Sequence, residues 1–278
     1  MRLHGPAALT SSASPGDDLS GGGLSCPRAL IFDLDGTLVD SLQDLAAAMN
    51  VSLARLGLPV WPPWAYRVFV GEGVAVLVQR VLPSRRQHLA AELRRLFLQE
   101  YAASSLRHSR PYPGIPELLG HLADRGLPCA VLSNKPHQET VQMVAGLFPT
   151  VPFVAVHGQR AEGPRKPDPT QALAIVAGLG IPPAQCWLVG DTAVDVQTAR
   201  AAGMVSVGVL WGYRGVGELT SAGARLLIRQ PGELLTALDR LAAPGLAARP
   251  PLAGRPDPTP PGEGSSRRPR GRSLRRRP

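Results

Sequence analysis

The sequence predicts an α/β fold: a parallel β-sheet covered by helices on both faces, with a small all-helical insert after the first strand. Three observations predict it. From Pro111 onward, short apolar runs alternate with segments of helical periodicity, the pattern of strands joined by crossover helices. The runs are apolar throughout rather than alternately apolar and polar, as strands buried on both faces read. Between the first run and the next, residues 41–107 carry helical periodicity alone.

The first strand is Ala29-Leu30-Ile31-Phe32, and it runs straight into Asp33. In the insert, Ser41-Leu-Gln-Asp44 reads as a capping box, and Leu42, Leu45, Met49, Leu53 and Leu56 keep helical spacing until Gly57 stops the helix. A second helix is predicted over Val74–Leu82. A third follows Ser84, with Leu89, Leu93, Leu96, Phe97 and Tyr101 on one face. Pro111-Tyr-Pro-Gly114 breaks the chain. Then come a helix at Pro116–Arg125, a strand at 128–134, a helix from about His137 and a strand at 151–157. A helix at Pro169–Gly178, a strand at 186–191, a helix at Thr192–Ala202 and a strand at 205–210 complete the alternation.

The flanks differ. Residues 1–27 are rich in Gly and Ser, and residues 245–278 in Pro, Gly and Arg with almost no large apolar side chains. Neither buries enough surface to fold, so both are expected to be disordered. The ordered chain then divides into a core, residues 28–40 and 108–244, and the insert, residues 41–107.

The net charge of +9 is unevenly placed: nine arginines against Asp257 and Glu263 fall within residues 245–278, leaving the rest close to neutral. Such a tail suits counterion release from a nucleic-acid backbone, although charge runs are more often simply solvated and this one has no aromatic for stacking. Of 30 basic residues only Lys135 and Lys166 are lysine. No run of 18 apolar residues suggests a membrane span. Cys26, Cys129 and Cys186 are far apart and in no metal-ligand spacing; with no continuous apolar leader at the N-terminus, a reducing cytoplasm is expected.

Ligands of open α/β sheets bind outside the carboxyl ends of the strands. The first strand delivers Asp33, Asp35 and Thr37 there, the second Ser133, Asn134 and Lys135, and the strand at 186–191 Asp191, with Asp195 one helical turn on. Lys166 precedes a helix in Arg165-Lys-Pro-Asp-Pro169. Each has an ordinary reading alone: Asp35-Gly36 a tight turn, Ser133-Asn134 a turn, Asp168 a helix cap, Asp191 and Asp195 acids at a helix start. Together they set carboxylates, a hydroxyl and an ammonium on one edge. Asp33 and Asp35, two apart on extended backbone, share a side and repel unless a cation or a proton relieves them.

The stretches DLDGT (33–37), LSNKP (132–136), RKPDP (165–169) and GDTAVD (190–195) resemble the four motifs of the haloacid dehalogenase (HAD) superfamily of phosphohydrolases, and FDLDGTLVDS with PYPG, SNKP and KPDP is similar to its phosphoglycolate phosphatase branch. The resemblance covers nearly all of residues 29–241. It implies a Rossmann-like core with a small α-helical cap, a Mg²⁺ cofactor and a small phosphorylated metabolite as substrate, 2-phosphoglycolate first, a sugar phosphate or amino-sugar phosphate as the alternative. It implies Asp33 as nucleophile, Asp35 as general acid and base, and Ser133, the Asn134 backbone amide, Thr37 and Lys166 around the phosphate. Asp33, Asp191 and the Asp35 carbonyl are the implied metal ligands, with Asp195 holding an ion-bound water or orienting Lys166. In the cap, Gly71 and Gly73 either face the site or merely break two helices, and Arg80 is placed to reach a substrate carboxylate. Lys135 is expected at the surface or against the cap. The sequence departs from the family pattern at His157-Gly158-Gln159, in the bulky Trp61-Pro-Pro-Trp64 segment, and in lacking an acid within Ala224–Ile228.

Overall fold

The computed structural model describes residues 24–161 and 163–242; the flanks expected to be disordered lie outside the described residues, save for 24–27. Six strands form one parallel sheet in the order β5-β4-β1-β6-β7-β8: β1 (Ala29–Phe32), β4 (Cys129–Pro136), β5 (Ala155–Gln159), β6 (Cys186–Gly190), β7 (Val205–Val209) and β8 (Leu226–Ile228). β1 lies in the middle, with Leu30 opposite Cys129 on one side and Trp187 on the other. Its four residues are all buried, because alternate side chains enter two different cores. Leu30 and Phe32 join Val131, Val189 and Val207 on one face. Ala29 and Ile31 join Leu132 and Leu188 on the other.

The chain leaves β1 through a two-residue strand, β2 (Val39–Asp40), and returns through β3 (Arg110–Pro111), which pairs with it antiparallel. Between them stand α1 (Leu42–Arg55), α2 (Tyr66–Phe69), α3 (Val74–Val81) and α4 (Ala90–Ser104). These helices close round a hydrophobic cluster of their own, with Met49, Leu53, Tyr66, Val81 and Leu93 at its centre and Tyr213 contributed from beyond β7. The sheet is covered by α5 (Ile115–Asp124), α6 (His137–Leu147), α7 (Thr170–Gly178), α8 (Ala193–Ala201), α9 (Val216–Ala222) and α10 (Pro231–Ala242). None of the described helices is long and apolar enough to cross a membrane.

Most predicted elements fall within a residue or two of their places. Three differences stand out, two of them with a physical cause in view. Residues 151–154 lie outside β5, which begins at Ala155 and ends at Gln159; Pro152 has no N–H to give a ladder. Ser84–Leu89 forms a 3-10 turn ahead of α4. The capping box at Ser41 does not form. Ser41 Oγ donates instead to Asp35, and the Asp44 carboxylate accepts from the backbone N–H of His108 and Ser109. Both side chains are engaged by tertiary partners that local spacing does not reveal.

Candidate active site

The centre of the site follows from β1 ending where burial ends. Asp33 is 7% exposed and Asp191, just past β6, is fully buried. Gly36, at φ +88°, turns the chain beneath them; a Cβ there would lie 2.4 Å from Asp191 Oδ2. Gly212 is equally constrained, its Cβ position lying 2.3 Å from the Asp191 Cβ and from the Gly36 carbonyl. The backbone N–H of Tyr213 donates to Asp191 Oδ2 at 2.7 Å, and Thr37 Oγ1 reaches Oδ1 at 3.4 Å. Thr37, fully buried, therefore steadies Asp191 and is absent from the cavity wall.

Lys166 Nζ bridges two carboxylates, Asp33 Oδ1 at 2.7 Å and Asp195 Oδ1 at 2.6 Å. The other oxygen of Asp195 accepts from Thr192 N and Oγ1. Both Asp195 oxygens thus have partners, one of them the Lys166 ammonium. Burial, opposed by the Lys166 ammonium and reinforced by Asp195 and Asp35, pushes the Asp33 carboxyl up to about 7. Burial and the neighbouring Asp195 and Asp33 raise Asp191 well above the usual carboxylate range. Burial alone would lower Lys166, but the two carboxylates outweigh it and hold the ammonium charged.

This donor set fits a hard divalent cation. Asp33, Asp191 and Asp195 each offer an oxygen within 4.8 Å of the others, all three buried, with a single ammonium among them. Three carboxylates against one cation leave negative charge in a low-dielectric site, and oxygen-only donors are what Mg²⁺ takes.

Asp35 stands on the cavity side of this cluster. It accepts from Ser41 Oγ at 2.5 Å and from Lys135 Nζ at 3.1 Å through each oxygen. Lys135 is not a surface residue: it is buried, its ammonium also donates to the Tyr101 hydroxyl, and it lies 4.4 Å from that ring's centroid. Tyr101 belongs to α4, so the contact joins insert to core. Ser133 Oγ accepts from the Lys135 backbone N–H at 3.3 Å and faces the cavity. The Asn134 side chain is a brace: its amide reaches the Gly71 carbonyl at 3.1 Å and the Lys166 carbonyl at 3.0 Å, and its oxygen accepts from Lys166 N at 2.8 Å.

The cavity, about 50 Å³, is lined by Asp33, Asp35, Ser133, Asn134 and Lys135 at its floor, and by Leu45, Val70, Leu77 and Phe97 of the insert. Gly71 and Gly73 also line it, at φ +114° and +86°. Arg80 does not: it pairs with Glu72 and donates to the Phe69 carbonyl at 3.2 Å. Asp168, exposed, accepts from Thr170 N at 2.8 Å and serves the start of α7. Sequence reasoning passed over Gly212 and Tyr213, for which the glycine-flanked Trp211-Gly-Tyr-Arg-Gly215 turn after β7 was the available signal.

Comparison with known proteins agrees with this arrangement. The haloacid dehalogenase-like hydrolase family pattern matches residues 27–203. A phosphoglycolate phosphatase of Aquifex aeolicus is 32% identical over 212 residues, 76% of this chain and 97% of that one. One from Pseudomonas putida is 39% identical over 197 residues, 67% of this chain and 71% of that one. The crystal structure of a putative phosphoglycolate phosphatase from Lactobacillus delbrueckii subsp. bulgaricus superposes with a TM-score of 0.72 at 31% identity, over 76% of this chain and 98% of that one. With four motifs gathered on one sheet edge and this similarity across core and insert, the chain belongs to the haloacid dehalogenase-like hydrolases, on their phosphoglycolate phosphatase-like branch, and is a phosphomonoester hydrolase.

Proposed function

We propose that the protein is a Mg²⁺-dependent phosphatase of a small phosphorylated metabolite, 2-phosphoglycolate first, working through an aspartyl-phosphate. The observation that carries this is the pair Asp33 and Asp35 at one strand end, one held by Lys166 and the other by Lys135 and Ser41. Asp33 attacks phosphorus, forming an acyl phosphate as the bond to the leaving oxygen breaks; splitting the reaction in two lowers each barrier. Asp35 gives its proton to the departing alkoxide, then takes one from the water that attacks the acyl phosphate and frees Asp33. Lys166, Ser133 and the Asn134 backbone amide receive the phosphoryl oxygens, positioning and neutralising them as phosphoryl transfer requires. Asp33, Asp191 and the Asp35 carbonyl would hold Mg²⁺, which offsets the charge of nucleophile and phosphate when bound. The insert serves as a cap that shelters the site from bulk water. Buried unpaired Cys129 and Cys186 suit the reducing cytoplasm.

The test is phosphate release from a panel of phosphomonoesters with and without Mg²⁺, with Asp33→Asn as the blank. The expected result is one ester well ahead, with the mutant down at least about a thousandfold. Equal release by mutant and wild type would remove Asp33 from the mechanism. A sugar phosphate ahead of 2-phosphoglycolate would keep the chemistry and change the substrate.

A further inference from the structure

The insert closes the catalytic cavity with an almost wholly apolar wall of Leu45, Val70, Val74, Leu77 and Phe97; of its side chains there, only Tyr101 carries a polar group. Arg80, expected to meet a substrate carboxylate, is turned to Glu72 and the Phe69 carbonyl and is absent from the wall. Among the described residues lining the cavity, Lys135 is the one cation. It lies beside Tyr101, to whose hydroxyl it donates. Tyr101 is 1% exposed, and its ring stacks on Phe97 with centroids 5.3 Å apart. An ammonium has no lone pair, so the hydroxyl oxygen is the acceptor in that contact and its own proton needs another partner. None of the described residues accepts it. Burial, opposed by the Lys135 charge, pushes the hydroxyl up to about 12, so the proton is in place at neutral pH. Buried donors without an acceptor are rare in folded proteins, and this one borders the cavity that receives the leaving group.

Resting on the phosphatase reading above, we infer that Tyr101 and Lys135 determine specificity: the Tyr101 hydroxyl and the Lys135 ammonium donate to a carboxylate of the leaving group, so that the substrate class is the phosphate monoester of a small 2-hydroxy acid. Lys135 holds Asp35 through both oxygens, at 3.1 Å each, and so stands between the group that protonates the leaving oxygen and the Tyr101 hydroxyl. In such an ester one carbon separates the leaving oxygen from the carboxylate. Charge-assisted hydrogen bonds are stronger than neutral ones, which favours the acid over a neutral ester of the same shape. The apolar wall works in the same direction, because the hydroxyls of a sugar phosphate would lose water there without finding partners.

The test compares 2-phosphoglycolate with its uncharged amide, 2-phosphoglycolamide, in wild type and in Tyr101→Phe. The wild type should favour the acid by at least about tenfold in kcat/KM, mainly through KM, the lower end of what one hydrogen bond to a charged group supplies. That comparison needs no variant, and equal use of acid and amide overturns the inference. Tyr101→Phe, assayed below its melting temperature, should lower the acid-to-amide ratio several-fold or more. The ratio cancels whatever the substitution does to chemistry common to both esters, so a merely structural role for the hydroxyl would leave it unmoved. A ratio unchanged in Tyr101→Phe therefore also overturns the inference, as does a neutral sugar phosphate used ahead of 2-phosphoglycolate. Calorimetric titration of acid and amide into Asp33→Asn, with and without Tyr101→Phe, reads the same contact without catalysis. Tighter binding of the acid that weakens with Tyr101→Phe supports the site, and equal binding of the two compounds sinks it. Phosphate release that persists in Asp33→Asn would instead count against the phosphatase reading alone.

Discussion

Asp44 sits in the first turn of α1, yet its carboxylate serves the chain returning from the insert: it accepts from His108 N, Ser109 N and Ser109 Oγ, the last two at 2.8 Å, while fully enclosed. Burial pushes its carboxyl up, but these hydrogen bonds outweigh burial and hold it below the usual range. A folded-state pKa below the unfolded one contributes stability that is present above about pH 4 and lost as pH falls through the folded value. Acid titration of the unfolding free energy should show that loss in wild type and lack it in Asp44→Asn. Asp44→Ala, leaving buried donors without an acceptor, should cost about 2–4 kcal/mol in denaturant unfolding. At Gly36 the constraint is steric. An alanine would meet Asp191 Oδ2 at 2.4 Å and adopt φ +88°, a region costing non-glycine residues about 1–2 kcal/mol. Gly36→Ala should fold with a lowered Tm and lose at least about tenfold in hydrolysis as Asp191 is displaced.

At the scale of elements, α4 and the end of β4 are tied by Tyr101 and Lys135. Tyr101→Phe keeps the buried ring and removes the acceptor of one ammonium proton. Its expected cost is about 1.5–3 kcal/mol of stability, read by thermal unfolding, with a change in kcat if Lys135 then shifts against Asp35. The bulky segment ahead of α2 divides into two roles. Trp61 donates Nε1 to the Val81 carbonyl at 2.9 Å and packs edge-on against Phe69; Trp64 is 72% exposed. Trp61→Ala should therefore destabilise by about 2 kcal/mol or more and Trp64→Ser by less than about 0.5. Equal effects would contradict this division.

For the whole molecule, charge and chemistry separate along the chain: the nine arginines of residues 245–278 follow the last described helix, and every proposed site residue precedes it. Ending the chain at Ala242 should abolish any low-salt retention on DNA while leaving phosphate release unchanged; retention that persists would place that surface within residues 1–242. The sequence by itself determined the α/β class, because strands buried on both faces and helices with one apolar face leave periodic traces. It also determined the chemistry-bearing set at the strand ends, because motif residues lie next to the apolar runs that carry them. What neighbours do to one another was decided by tertiary structure. Ser41 and Asp44 have the spacing of a helix cap, yet bind Asp35 and residues 108–109. Lys135, expected at the surface or against the cap, meets Tyr101 of the insert and is buried on Asp35. Thr37 turns to Asp191, and Arg80 to Glu72. Local pattern records which face of an element is buried. Which polar group arrives from far along the chain depends on how the elements pack, and there desolvated donors and acceptors must find each other whatever their local propensity.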